Sequence, residues 1–307
     1  MYKHVVIILL LLSSLYGFEY HLKPKKVAED VYCFFGAPEE ISKENGGNMV
    51  NTCFVYTKEG FVVIDSGPTF EYASQAYVQM QKIAKLAVKY VINTHDHDDH
   101  WLGNSFYKSK NALLIGSRSY EQNVVAGMKT RMQGILGDKL YGNTSIVKLD
   151  KIVDDNLILK VGERRFIIEK LVKKAHTQGD LVVYLPKEKI LFAGDLVFND
   201  RVTSLRDGSL IGSIEALKKI DDFKAVVVIG GHGYKTDANS TKVLKKYLIE
   251  MKKEVLEALD NDISIDQVTQ RVIMPEFKDM KLYDVLHSRN VFEAYRELEL
   301  YDEEEEK

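Results

Sequence analysis

NTHDHDDHWLGN occupies residues 93–104, and six consecutive positions in it are His95, Asp96, His97, Asp98, Asp99 and His100. Three imidazoles and three carboxylates in one run suit neither a packed strand nor a solvated helix. The run follows VKYVINT (88–94), a continuous apolar segment that reads as a buried strand. In extended chain, residues i and i+2 project to the same side, so His95 and His97 can reach one ion together. Asp99 and His100, past a bend, point elsewhere. Neutral imidazole and carboxylate suit zinc or iron. Four donors in six residues exceed what one ion takes from so short a segment, so two adjacent metals are expected.

Other polar residues lie beyond apolar runs in the same way. Asp65 ends GFVVIDSG (60–67), Asp195 ends KILFAGD (189–195) and His232 lies in AVVVIGGHG (225–233). His176 stands alone in KKAHTQGD. Loops at strand ends are where α/β folds place their chemistry, so these groups converge if the strands share one end of the core. Gly194 and the cluster Gly230, Gly231 and Gly233 would let backbone come close to a metal centre. His21 and His287 read as surface or internally satisfied histidines.

The rest of the chain alternates between the two periods. Residues 69–87 carry Tyr72, Ala76, Met80, Ile83 and Ala87 at helical spacing. ALLIGS (112–117) reads as a strand, followed by helix to about 134. Residues 145–173 read as strands with turns at Asp154-Asp155 and Gly162-Glu163. DLVVYLP (180–186) is a further strand, and a helix is expected near 212–220. Beyond 237 the chain is helical, with Val243, Leu244, Tyr247, Leu248, Met251, Val255 and Leu259 marking one apolar face. No repeat or second-domain boundary interrupts the 307 residues.

Composition is that of a globular protein: 45% apolar, 28% charged, net charge -3. That balance gives no basic surface for nucleic acid. YDEEEEK at 301–307 reads as a solvated acidic tail. At the other end, Lys3 precedes the apolar run Val5–Leu12, which is too short to span a bilayer and has the form of a secretory signal. Residues 1–17 are therefore read as a signal peptide, leaving no stable membrane anchor and a periplasmic protein. Cys33 and Cys53, each in a strand-like stretch, read as two buried small hydrophobes. In an oxidising compartment, with neighbouring strands, they would instead pair.

HxHxDH at 95–100, followed by His176, Asp195 and His232, resembles the metallo-β-lactamase superfamily over about residues 28–235. The resemblance implies a mixed α/β, four-layer αβ/βα sandwich over 18–300, the tail after 237 completing the outer layer and adding a helical C-terminal extension. It implies two zinc ions, the first on His95, His97 and His176, the second on Asp99, His100 and His232, with Asp195 bridging. It also implies that Asp65 supports the metal loop and that Asp99 is the proton acceptor. Asp96 and Asp98 fall at variable positions of the motif and are read as hydrogen-bonding residues. Asp180 is read as ordering the loop after His176.

These features point to a hydrolase whose metal-activated water attacks an ester, thioester, lactone or related bond of a small molecule. The zinc β-lactamases of the family lack a bridging Asp at the position of Asp195, which argues against efficient β-lactam cleavage. The pattern ENGGNMVNTCFVYTKEGFVVIDSGPT resembles exported members associated with sulfur oxidation or quinoprotein systems. Two alternatives stand beside the hydrolase: a mononuclear iron enzyme resembling persulfide dioxygenases, and a non-catalytic periplasmic metal-binding partner. For the substrate pocket, Arg201, Arg206, Tyr234 and Trp101 are the candidates. Substrate identity and oligomeric state are not encoded in any motif.

Overall fold

A computed structural model describes residues 17–301. The apolar run read as an export signal and the acidic end from Asp302 lie outside the described residues. Seven strands form one sheet in sequence order: β1 (Lys25–Ala28), β2 (Val31–Phe34), β3 (Thr52–Thr57), β4 (Gly60–Ile64), β5 (Val88–Ile92), β6 (Leu113–Ser117) and β7 (Lys151–Val153). Five form a second, in the order β12 (Val227–His232), β11 (Ile190–Phe198), β10 (Val182–Leu185), β9 (Arg164–Glu169) and β8 (Asn156–Val161). The helices are α1 (Phe70–Ile83), α2 (Asp98–Trp101), α3 (Asn104–Ser109), α4 (Arg118–Asn123), α5 (Arg131–Tyr141), α6 (Leu210–Asp222), α7 (Lys242–Asp260), α8 (Ile265–Arg271) and α9 (Tyr283–Leu298).

Period-two alternation explains why the continuous apolar runs are central strands. In β4, Val62 and Ile64 point into the core between the sheets, where they meet Phe166, Ile168, Val183 and Phe192 of the second sheet. Phe61 and Val63 point the other way, onto Tyr72, Ala76 and Met80 of α1. In the second sheet, Val183 and Phe192 face inward while Val182, Leu191 and Val228 pack under α6, α7 and α9. Two sheets, each covered by helices on its outer face, make the expected four-layer sandwich.

The tail closes that outer layer through an amphipathic α7, which buries Leu244, Tyr247, Leu248, Met251, Val255 and Ala258. Val243, assigned to that face, is 36% exposed instead: it stands in the first turn, about 100° round the helix from the buried Leu244. His287 is buried and satisfied: Nε2 donates to the Val272 carbonyl and Nδ1 accepts from the Tyr247 hydroxyl, each at 3.0 Å. His21 lies on the surface beside Glu19. Among the described residues no helix is long and apolar enough to cross a membrane.

Three boundaries differ from expectation. The helix expected from 69 to 87 ends at Ile83, because Ala84 turns to extended backbone. The helical stretch expected up to 134 is two helices, α4 and α5, the second bent where Gly137 takes φ 72°. The strand expected to end at Asp195 continues to Phe198 because β12 pairs with it in parallel to that point.

Cys33 and Cys53 stand opposite each other in the antiparallel β2–β3 register and are joined, with Sγ–Sγ 2.05 Å and Cα–Cα 4.0 Å. The reading of them as separate buried thiols is thereby corrected; register puts both side chains on one face of adjacent strands. The bond closes a loop of sequence separation 20. Replacing both by Ala should cost about 2–4 kcal/mol by freeing the unfolded chain. Thermal denaturation under non-reducing conditions checks this, and an unchanged Tm would contradict it.

Candidate metal centre

Each polar group of the cluster is delivered by the end of an element. β5 leads through Asn93 and Thr94 to His95. His97 is the extended N-cap of the short α2, and that helix turns Asp99 and His100 away from His95 and His97. Asp195 lies within β11, and His232 is the last residue of the neighbouring β12. Two groups of ligand-type atoms result, with every atom of a group within 4.8 Å of the others: His95, His97, His176 and Asp195 in one, Asp99, His100 and His232 in the other.

Asp195 connects the two. Its Oδ2 lies 3.7 Å from His95 Nε2, 3.2 Å from His176 Nε2 and 3.3 Å from His232 Nε2, and its Oδ1 lies 3.1 Å from His100 Nε2. Asp99 Oδ2 lies 3.7 Å from His100 Nε2 and 3.6 Å from His232 Nε2. Glycine makes this closeness sterically feasible: a Cβ at Gly231 would fall 1.9 Å from Asp195 Oδ1.

The outer ring atoms of four of the five histidines are held by the protein; of the inner ones, His97 Nδ1 meets His176 Nε2 at 2.9 Å, while His95 Nε2 and His100 Nε2 have no hydrogen-bond partner. His100 Nδ1 donates to Asp65 Oδ2 at 2.8 Å, and His232 Nδ1 donates to the Met49 carbonyl at 2.6 Å. His95 Nδ1 meets Thr94 Oγ1 at 3.0 Å, and His97 Nε2 meets Asp207 Oδ2 at 3.1 Å. Asp65, at φ 57°, also accepts from Thr94 N and Thr94 Oγ1, both at 2.8 Å. Such outer hydrogen bonds fix the tautomer and turn a lone pair inward. His176 is the exception, with its Nδ1 buried and unpartnered.

The residues present fit a pair of cations. His95 Nε2, His100 Nε2 and Asp195 Oδ1 are buried without hydrogen-bond partners although each faces the cluster. Buried polar atoms are rarely left so, and an inner cation answers all three. The electrostatics agree. Burial, then His100 beside it, holds His95 well below the ordinary imidazole value, which keeps it neutral. Burial opposes charge on His100, but Asp195, Asp65 and Asp99 outweigh it and hold the imidazole well above its ordinary value. Burial would raise Asp99; His100, Arg131 and His232 overcome it and hold the carboxyl below the usual range. The carboxylates that keep Asp99 company and draw a proton to His100 make the cluster a place that favours positive charge, and a cation bound there would displace that proton.

The neighbouring carboxylates have other tasks. Asp98 accepts from Met132 N at 2.7 Å and from Arg131 Nη2 at 2.9 Å, and the same Arg131 nitrogen reaches Asp99 Oδ1 at 2.9 Å. Asp96 accepts from Asn123 Nδ2 at 2.6 Å. Asp180 accepts from Thr177 N at 2.8 Å and Thr177 Oγ1 at 2.7 Å, tying down the loop after His176.

A cavity of about 600 Å³ opens over the cluster, and His97, Asp99, His176, Asp195 and His232 form its floor. Arg201 and Arg206 line it. Trp101 does not: it is buried, its indole N–H donates to the Asp96 carbonyl at 2.9 Å, and its ring packs on Tyr120. Tyr234 does not line the cavity either. Gly233 takes φ 90° and the chain turns away, leaving the Tyr234 ring 48% exposed beside Phe35. Both pocket assignments are corrected on these grounds. Arg131 and Asp207 were not identified from the sequence. Arg131 lies in a loop-to-helix junction without a motif, and Asp207 was visible only as the third acid of DLVFNDRVTSLRDG, with nothing to aim it at His97.

Comparison with known proteins gives one family. The model of the metallo-beta-lactamase superfamily matches residues 45–232. A metallo-beta-lactamase type 2 from Elizabethkingia meningoseptica is 28% identical over 147 residues, 48% of this chain and 52% of that protein. A hydroxyacylglutathione hydrolase from Brucella anthropi is 26% identical over 153 residues, 49% of each chain. The chain thus spans about half the length of these curated relatives. The solved structure of a metallo-beta-lactamase from Pontibacter korlensis superposes with TM-score 0.59 at 22% identity, covering 74% of this chain and 99% of that one. That likeness concerns the fold.

Proposed function

The chain belongs to the metallo-beta-lactamase superfamily, and on that premise we propose that it is a dinuclear zinc hydrolase of an ester, thioester, lactone or related bond. The observation that carries the reading is Asp195, one carboxylate set among ligand nitrogens of both groups, with its Oδ1 and the inner nitrogens of His95 and His100 buried without a hydrogen-bond partner. In the proposal His95, His97 and His176 hold one ion, Asp99, His100 and His232 the other, and Asp195 touches both. A zinc pair there would supply a hydroxide at neutral pH and polarise the scissile carbonyl.

The chain's own residues do the rest. Asp65 and the Met49 carbonyl hold the Nδ1 protons of His100 and His232, so that in the neutral rings the inner Nε2 carries the lone pair. Arg131 engages Asp99 Oδ1 and leaves Oδ2 facing the cluster, so Asp99 stays ionised. This narrows the role read from the sequence: Asp99 acts as a ligand and a charged acceptor that orients the attacking water, rather than as a store for its proton. In the net reaction the acyl C–X bond breaks, a C–O bond to water forms, and the leaving group takes the proton.

An activity screen of purified protein across thioesters, lactones, phosphoesters and β-lactams tests the reading. Turnover of an acyl ester, thioester or lactone, lost on chelation and restored by zinc, is expected. No turnover of any class by zinc-loaded protein contradicts it.

Export to a periplasm is part of the same proposal. It draws support from the Cys33–Cys53 disulfide, a bond that persists in oxidising compartments. Intact mass of the chain recovered from its native host should lack Val5–Leu12. A mature chain still starting at Met1 would sink the cleavage and the location together.

A further inference from the structure

The match to the family model ends at His232, yet part of the cavity lining comes from α9, some 50 residues further on. Leu286, Arg289 and Phe292 of that helix line it at spacings of three, which places them on one face. Ile41 and, from α5, Ile135 line the same cavity. Ile135 and Phe292 are each 39% exposed, large apolar side chains left open at the cavity. The cavity therefore offers an apolar lining from α5 and α9, which forms a slot for the apolar part of a ligand, in addition to the metal-binding floor.

Deeper in the same cavity lies Arg201. It is only 5% exposed, and its Nη1 is buried without any hydrogen-bond partner. Its Nε donates weakly to the Val202 carbonyl at 3.4 Å, and its guanidinium sits 5.6 Å from the centre of the Phe198 ring. Asp195, Asp99 and Glu40 act on it through space, but among the described residues it forms no ion pair. Asp99 and Asp195 are committed to the metal-ligand groups. The other inner guanidinium, Arg131, is taken up by Asp98 and Asp99, and Arg206 at the rim is paired with Asp207. Arg201 is thus a buried cation whose free donor has no partner among the described residues. A buried unpaired charge is costly, and an oxyanion from outside relieves that cost with a charge-assisted hydrogen bond.

We infer that the substrate is an anionic amphiphile: an aliphatic or aryl acyl compound bearing a carboxylate or similar oxyanion. Its oxyanion docks on Arg201 and its apolar part lies in the slot between Ile135 and Phe292. Arg201 selects for charge and α9 for apolar bulk. The inference rests on the hydrolase reading for the bond that is broken, and on the cavity alone for what is bound.

Binding is therefore measured apart from turnover. Heptane-1-sulfonate, an oxyanion that ligates metals poorly, and heptan-1-ol, its uncharged counterpart, are titrated calorimetrically into the metal-loaded protein. The sulfonate should bind about tenfold more tightly, the worth of one charge-assisted hydrogen bond. Arg201→Gln should erase that preference, while Phe292→Ala should weaken both ligands several-fold and leave the preference intact. Equal binding by the wild type, or a preference that survives Arg201→Gln, overturns the inference. If Arg201→Gln does not fold, Arg289→Gln, an exposed substitution, decides: the preference should persist, and its loss there would move the anchor away from Arg201. Selective binding without hydrolysis of any ester would instead leave this inference standing and remove the hydrolase reading.

Discussion

Asp195→Ala should lower kcat/KM by more than about 100-fold and strip both ions from the purified protein. Loss of an outer hydrogen bond to a ligand already costs about 10–100-fold in affinity or activity. Asp195 is more than that: its two oxygens lie within 3.7 Å of ligand nitrogens on four histidines drawn from both groups. Without it no carboxylate stands between the two cations. Removing His97 or His232 takes a ligand from one group only, so each should be milder than Asp195→Ala. Circular dichroism separates the effect from unfolding, and a folded Asp195→Ala protein with full metal content would refute the bridging role.

Asp65→Ala comes next in size and acts at one remove. Asp65 is 2% exposed and accepts three hydrogen bonds, from Thr94 N, Thr94 Oγ1 and His100 Nδ1. Removing the acceptor strands all three donors, and breaking a buried charged pair in this way costs about 3–5 kcal/mol. Ala is also strained at the φ of 57° that Asp65 adopts. Metal affinity at the Asp99, His100 and His232 group should fall by about 10–100-fold, because the His100 tautomer is no longer fixed. Asp65→Asn serves as the comparison, since Asn tolerates that backbone conformation. It should recover much of the stability while keeping the affinity defect, because an amide presents a donor as well as an acceptor to His100. Denaturant unfolding and metal titration of both variants check the pair; equal affinity in wild type and Asp65→Asn would contradict the account.

The candidate ligand cluster was legible because metal chemistry restricts both residue type and place. A run such as His95–His100 after a buried strand has few other uses, and Asp195 and His232 announced themselves by ending apolar runs. The sandwich was legible for a related reason: strands apolar on both faces, such as β4 and β11, must be covered on both sides. What failed was direction. Trp101 adjoins His100, but on a helix one residue is a turn of about 100°, and that turn carries it under Tyr120. Tyr234 follows His232 by two, but Gly233 at φ 90° reverses the path. The α9 wall was invisible for want of a motif: Leu286, Arg289 and Phe292 read as ordinary amphipathic helix, and only packing on the second sheet brings them over a site whose floor begins at residue 97. The disulfide lay between these cases, since Cys33 and Cys53 were visible but their register was not.

The central claim is two metal ions sharing Asp195, and elemental analysis of the wild-type protein, purified without added metal, tests it most directly. The account predicts two zinc per chain, falling in both His97→Ala and His232→Ala. One iron per chain, unchanged in those two variants and lost only in Asp195→Ala, would contradict it and turn the site into a mononuclear iron centre.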